Sequence, residues 1–387
     1  MKRSESRILS THCGSLPRSE KLVELLGARD ADRPVDATEL AATIRTSVDD
    51  VVQRQAAIGL DVVADGEHSK SSFSSYVAQR LGGLTPLNIQ SGFRGETRDT
   101  LQFPDVYAEQ KAMYAARPSN LHKTGGPGGV RIAYACTGPV TYIGQDRVRE
   151  DMANLRAALA SVQVEEAFVT ALSPSNVALY HRNEFYPSEQ EYLVAIADAM
   201  HVEYQAIVDA GFILQIDDPR LATHYDRHPD ISMEECRTFI AECVELINHS
   251  LRGIPEDRVR FHTCYSTNVA PRVHDLELRH FVDLMLGIHA QAYSFEASNP
   301  RHEHEWQIWE NVELPPDKIL VPGVVSHCIT LVEHPDLVAQ RIARYAGAVG
   351  RERVIASNDC GFATAGAGDE VHPTVAWAKL ESLTEGA

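Results

Sequence analysis

The stretch SEQEYLVAIADAMHVEYQAIVDAGFILQIDDP, residues 188–219, decides the fold. Up to Gly211 it reads as a helix, and a glycine there takes the left-handed backbone that commonly ends one. With no linker the chain then enters FILQIDDP, a short apolar run closed by two acids and a proline, which reads as a strand. The same unit recurs on both sides. ATELAATIRTSVDDVVQRQAAIG follows Asp36, a side chain suited to capping a helix start, and ends at Gly59 before LDVVADGE. HPDLVAQRIARYAGAVG ends at Gly350 before RVIASNDC. Further strand-like runs are RILSTHC, VRIAYACTG, AFVTALSP, VRFHTCYS, AYSFEAS and KILVPGVV.

Strands separated by helices imply a parallel sheet, because parallel neighbours need a crossover, and eight such units close into a barrel. Nine runs compete for eight places. The span 84–130 is too long and too mixed for a simple βα loop. It is therefore expected, together with RIAYACTG, to form an excursion over residues 84–140. The expected fold is α/β: a TIM (β/α)8 barrel over residues 1–387 as a single domain, with that excursion inserted after the second strand. Nothing in the composition of the insert decides between a lid and a subunit contact, which leaves a homo-oligomer open. The competing fold is a doubly wound open sheet, but no G-x-G-x-x-G follows any strand, and GGPGG at 125–129 reads as a flexible turn.

Apolar residues make up 44% of the chain and charged residues 23%, as in an ordinary globular protein. A formal charge of −18 repels polyphosphate backbones and anionic membranes, so neither nucleic acid nor membrane is an expected partner. The apolar run in MKRSESRILSTHCGS is too short for a signal-peptide core, which makes a cytoplasmic location the expectation. Cysteines at 13, 136, 236, 243, 264, 328 and 360 are odd in number and scattered, unlike a disulfide framework. Thiols are then available for metal.

Four residues at strand ends stand out: His262 and Cys264 in VRFHTCYS, Glu296 in YSFEAS and Cys360 in IASNDCGF. His262 and Cys264 are two apart, so in a strand they project to one side. Taken singly, each has an ordinary explanation: a small buried thiol, a satisfied imidazole. A buried carboxylate is less easily dismissed, because it needs a partner. Together, two sulfurs, an imidazole and a carboxylate make a set that tetrahedral zinc accepts and that disfavours magnesium or calcium. A barrel places its active site at the C-terminal strand ends, where all four lie.

Other strand ends carry polar residues as well. Gly14 and Ser15 in THCGSLPR offer backbone N–H groups and a hydroxyl for a carboxylate or sulfonate. Glu67 and Lys70 follow the second strand, and Asp217 and Asp218 follow FILQI; three acids around one mouth suit a substrate ammonium, or are plain strand-terminal residues. SPSNVALYHRNEFYPS at 173–188 suits a cleft wall. HEHEW at 302–306 lacks the H-E-x-x-H spacing of a helical zinc site and reads as a polar helix start. His327 and His334 carry no role on spacing alone.

GSLPR, DGE at 65–67, QIDDP at 215–219, HTCYS at 262–266, FEAS at 295–298, PGV at 322–324 and NDCGFAT at 358–364, in this order, resemble the catalytic barrel of the cobalamin-independent methionine synthase family. The resemblance implies that His262, Cys264, Glu296 and Cys360 bind catalytic zinc. It also implies that Ser15, Glu67 and Asp217 hold the amino-acid end of a homocysteine-like thiol; Lys70, from its strand-end position, is expected with them as a substrate-binding residue. The family commonly has Asp-Glu-Pro where this chain has Asp217-Asp218-Pro219. A proton-donating histidine lies in the family's loop after PGV, and His327 stands one position early for that role. In length and in EASNPRHEHEW the chain is similar to the short single-barrel members, which include epoxyalkane:coenzyme M transferases.

The implied function is zinc-dependent transfer of a methyl group to a thiol, from methyltetrahydrofolate to homocysteine or a relative, in methionine biosynthesis. An alternative keeps the zinc and opens an epoxide with coenzyme M. From another class, the related barrel of uroporphyrinogen decarboxylase works without metal, so a metal-free lyase is a third reading; a thiol or metal store is a fourth.

Overall fold

The computed structural model describes residues 1–90, 96–116, 132–265, 270–364 and 371–387; GGPGG at 125–129 lies outside them. The strands, in chain order, are β1 (Leu9–Ser10), β2 (Val62–Ala64), β3 (Leu81–Gln90), β4 (Ile132–Tyr142), β5 (Glu166–Leu172), β6 (His181–Asn183), β7 (Ile213–Asp217), β8 (Val259–Thr263), β9 (Ala292–Glu296), β10 (Ile319–Val325) and β11 (Ile355–Asn358). Eight pair in parallel in the order β1-β11-β10-β9-β8-β7-β5-β2. A parallel bridge between Thr11 and Val62 joins the two ends of that order, so the sheet closes as a barrel.

The three helices read from glycine stops form as expected. Helix Ala37–Ala57 is capped by Asp36, whose carboxylate accepts from the N–H groups of Thr38 and Glu39. Helices Ala37–Ala57, Glu189–Asp209 and Pro335–Val349 are followed by Gly59, Gly211 and Gly350, with φ of +89°, +92° and +95°. Each leads within a few residues into β2, β7 or β11. No described helix is long and apolar enough to cross a membrane.

RIAYACTG supplies the ninth run and pairs elsewhere: β4 runs antiparallel to β3 and parallel to β6 in a separate three-stranded sheet. Its base is docked by a buried ion network in which Arg80 reaches Asp151 at 2.5 Å and Glu203 at 3.3 Å. Tyr76 and Tyr142 donate to the same Glu203 carboxylate, which leaves neither of its oxygens bare.

Period-2 alternation divides the barrel strands between two cores. Phe168 and Ile213 pack with Val62 and Ala64, and Ala292, Ile319 and Val321 with Leu9 and Ile355, in small clusters separate from the main one. The intervening Val169, Leu214, Tyr293 and Leu320 belong to the large cluster beneath the helices. Continuing the inner face of each strand toward its C-terminus leads from Ile213 to Gln215 and Asp217, and from Ala292 to Ser294 and Glu296. The barrel lining thus changes from apolar to polar at one end, and that end is the site.

Close approach there depends on Gly323 of β10. A Cβ on it would lie 2.4 Å from the Asp359 Cα, which is backbone and cannot swing away. Gly323→Ala is expected to lose about 1–3 kcal/mol of stability through overpacking. Urea unfolding checks this; an unchanged midpoint would contradict it.

Candidate metal centre

β8 carries His262 on its inner face, and Cys264 follows one residue past its end. β11 ends at Asn358, and Cys360 lies two residues on. One ligand atom from each of His262, Cys264 and Cys360 lies within 4.8 Å of the others. The two sulfurs are 3.2 Å apart. The three side chains are only 3%, 4% and 6% exposed. His262 Nδ1 sits 3.0 Å from Ser294 Oγ, while its Nε2 is buried and makes no hydrogen bond. A buried orphan nitrogen beside two thiols is what a soft-ligand cation site requires, and the partner on the other ring nitrogen fixes which one is free. The Cys360 thiol is pushed up by its hydrogen bond with Cys264 and by burial, so without a cation this sulfur holds its proton. The imidazole of His262 is pushed down to about 3, by burial and by Arg260, and is therefore neutral, the form that ligates.

Glu296 is held beside this trio rather than within it. Its ligand oxygen groups with His327 and Asp359. Oε1 accepts from the Tyr265 N–H at 2.6 Å; Oε2 accepts from Arg272 Nη2 at 3.0 Å and from Asn299 Nδ2 at 2.6 Å. His327 is fully buried at the end of β10. Asp359 accepts from the N–H groups of Ala297 and Ser298 and from Ser298 Oγ, tying the loop after β9 to the loop after β11. Burial and the neighbouring Glu296 push its carboxyl up to about 7.

HEHEW begins the 3-10 helix Glu303–Glu310, and its first histidine backs the Arg272 region. His302 Nε2 lies 3.1 Å from Asp275 and Nδ1 3.0 Å from Glu305, with Tyr265 stacked on the ring at 3.8 Å. Burial opposes its charge, but the two carboxylates overcome that and raise its pKa from 6.5 to about 9. A folded-state value above the unfolded one stabilises fully below pH 6.5, and the benefit is lost as pH rises through 9. Against His302→Gln, the wild-type advantage in urea unfolding is expected to shrink by about 3 kcal/mol between pH 6 and pH 10. An equal advantage at both pH values would exclude this. His334 has a local role instead, capping helix Pro335–Val349 by accepting from the Asp336 N–H.

A second cluster faces the same mouth around Gly14. A Cβ on Gly14 would meet Thr170 Cγ2 at 2.8 Å, Glu67 Oε1 at 3.0 Å and Gln215 Nε2 at 3.9 Å. Glu67 is held at φ +61°, a left-handed conformation that costs energy in any residue but glycine and recurs at functional sites. Glu67 Oε1 accepts from Thr170 Oγ1 at 2.8 Å. Its Oε2, like Gln215 Oε1, is buried and accepts nothing. Asp217 Oδ1 accepts from Gln215 at 2.6 Å, and burial together with Glu67 raises the Asp217 carboxyl well above the usual range. Lys70 is committed: Nζ donates to Thr170 O at 2.6 Å and Oγ1 at 3.0 Å and lies 4.4 Å over the Tyr76 ring. Ser15 closes the cluster against the DCG loop, with its carbonyl accepting from the Phe362 N–H at 2.9 Å.

Asp218 does not face this pocket. It caps helix Pro219–Arg227 and accepts from Ser173, Ser175 and Asn176, so SPSN serves as its cradle rather than as a cleft wall. Adjacent residues in a strand point oppositely, and Asp217 takes the inner side.

A family model described as cobalamin-independent synthase, catalytic domain, matches residues 8–179. A methionine synthase from Saccharolobus solfataricus is 24% identical over 382 residues, spanning 97% of this chain and 93% of that protein. Another, from Sulfurisphaera tokodaii, is 25% identical over 257 residues, spanning 66% of this chain and 61% of that protein, less than two thirds of its length. The solved B12-independent methionine synthase from Shewanella sp. W3-18-1, in complex with selenomethionine, shares the fold with a TM-score of 0.71 at 16% identity, covering 98% of this chain and 96% of that one. Over residues 8–179 by the family model, and over most of its length by the relatives, the chain is similar to the cobalamin-independent methionine synthase family.

In this barrel, several site residues carry no sequence signal of their own. Arg260 lies inside the barrel, 3.8 Å over the Phe168 ring, donating to Thr11 Oγ1 and the His12 carbonyl. Alternation with His262 was the clue to its inward direction. Cys13 has its sulfur 3.7 Å from His262 Nδ1 and 2.8 Å from the Asn358 carbonyl. Burial pushes its thiol up to about 12, so it stays protonated. Arg272 and Gln215 likewise owe their places to tertiary contact. All seven cysteines are free.

Proposed function

We propose that this protein is a zinc-dependent methyltransferase of the cobalamin-independent synthase family that methylates the sulfur of an amino-acid thiol, homocysteine or a close relative, from a methyl-folate donor. The observation that carries the reading is the buried convergence of Cys264, Cys360 and the unpartnered His262 Nε2 within 4.8 Å. His262, Cys264 and Cys360 would hold the ion, with Glu296 alongside. A bound zinc would supply the positive charge that lowers a thiol from a pKa of about 8.5, so that sulfur is present as thiolate at neutral pH.

The remaining work falls to the chain. Ser294 orients the His262 ring. Glu67 Oε2 and Gln215 Oε1 offer unused acceptors, and burial together with the neighbouring Glu67 raises the Asp217 carboxyl well above the usual range. A substrate ammonium supplies both donors and charge there, and Ser15 faces the carboxylate beside it. In the transfer, a bond forms between sulfur and the methyl carbon, the bond from that carbon to the donor nitrogen breaks, and the nitrogen gains a proton. His327, buried against Glu296 and Asp359, is placed to hold that proton.

The epoxide reading is disfavoured by charge. Coenzyme M ends in a sulfonate, and the pocket meets it with two carboxyl groups and a lysine that already gives two of its three donors to Thr170. A metal-free lyase leaves the orphan imidazole nitrogen and the paired thiols without a use. The deciding assay gives zinc-loaded protein methyltetrahydrofolate with homocysteine in one vessel and epoxypropane with coenzyme M in another. Methionine in the first is expected; epoxide-dependent loss of coenzyme M with no methionine would sink the proposal.

A further inference from the structure

Glu296 has a second claimant. It is 2% exposed, and a carboxylate that leaves a cation in such a place would be an uncompensated buried charge. Arg272 removes that penalty. Its Nη2 lies 3.0 Å from Glu296 Oε2, its Nε lies 2.7 Å from Asp275, and Asp275 is in turn held by His302 at 3.1 Å. Arg272 itself sits at φ +55°, an unfavourable conformation for a side chain of this size, and its guanidinium is held between two carboxylates through Nε and Nη2. Tyr265 and Asn299 complete the carboxylate's resting place with their N–H donors.

We propose that Arg272 is a positioning residue that receives the Glu296 carboxylate when a substrate sulfur takes its place at the ion, so that Glu296 alternates between two positive partners. The inference rests on the zinc reading above. It explains how a four-residue ligand set admits a substrate without stranding a charge: His262, Cys264 and Cys360 stay gathered while Glu296 is parked. Without Arg272 the carboxylate has one cationic partner left and holds it more firmly, and the entering thiol must displace it at full cost.

The test uses the full chain and two readouts other than turnover. Zinc transfer from the protein to the dye 4-(2-pyridylazo)resorcinol reports how firmly the ion is held. Homocysteine titration of cobalt-substituted protein, followed in the visible spectrum, reports how readily the thiol enters. Arg272→Met alone leaves Asp275 unpaired, so Arg272→Met/Asp275→Asn is measured beside it, each checked for a cooperative melt. Zinc transfer about tenfold slower and homocysteine half-saturation about tenfold higher are expected in the double variant, with Arg272→Lys moving both back toward wild type. Unchanged or faster transfer with unchanged half-saturation overturns the role of Arg272 while leaving the zinc reading standing. A wild-type protein that retains neither zinc nor cobalt overturns both.

Discussion

Replacing Cys360 with serine is expected to strip the protein of zinc and to lower methyl transfer by about a thousandfold. A serine hydroxyl is a poor substitute for thiolate at neutral pH, and among the described residues Cys360 supplies one of the two sulfurs that gather with His262 within 4.8 Å, so the set loses half of its thiolate. A cation contributes several kcal/mol of transition-state stabilisation, and each 1.36 kcal/mol is a factor of ten, which sets the scale at about three decades. Elemental analysis should find about one zinc per wild-type chain and nearly none in Cys360→Ser. Cys236→Ser, in the outer helix Met233–Ser250, should keep it. Zinc at wild-type stoichiometry in an active Cys360→Ser protein would remove the metal centre from the account.

The second large effect is expected at Glu67. Its Oε2 is a buried acceptor with nothing to accept, and together with burial it raises the carboxyl of nearby Asp217 well above the usual range. Exchanging it for glutamine removes the charge that answers a substrate ammonium. Truncating one side of a buried charged pair costs roughly 2–5 kcal/mol, so kcat/KM for homocysteine should fall about a hundredfold. The paired substrate is 4-sulfanylbutanoate, which keeps the thiol and carboxylate and lacks the amine. Wild type should use it poorly, and Glu67→Gln should lose little more on it, since the partner is already gone. Equal losses on both thiols would mean that Glu67 shapes the pocket without reading the amine.

These two expectations differ in how far the linear chain foretold them. The barrel was readable because each unit carries its own local physics. Gly211 ends one helix because φ of +92° costs it little, and FILQI must alternate between the lining and the helix-facing core. Ligands at strand ends were readable for the same reason, since His262 and Cys264 share a face by spacing alone. The barrel also sorted nine runs into eight places: β4 pairs with β3 across a register with irregularities and never meets a barrel strand.

Other features were invisible. Asp217 and Asp218 are chemically twins in the sequence, yet one faces the mouth and the other caps a helix in a serine-lined cradle. Lys70 stands beside Glu67 in the sequence as a strand-end cation, and only the fold shows that its Nζ donates twice to Thr170. The partner of Glu296 is Arg272, 24 positions away, in a loop whose backbone conformation no propensity of arginine favours.

Local patterning by itself determined the eight barrel strands, the helices that stop at Gly59, Gly211 and Gly350, and which face each ligand takes, because those depend on a residue and its near neighbours, whereas β3 and β6 lie outside the nine runs it marks. Only tertiary structure decided which carboxylates remain free to act, which cation is committed and where Glu296 rests. Charge is settled by whatever approaches within about 4 Å, and in a barrel those approaches come from segments hundreds of residues apart in sequence, as when the Cys13 sulfur meets the His262 ring across 249 positions.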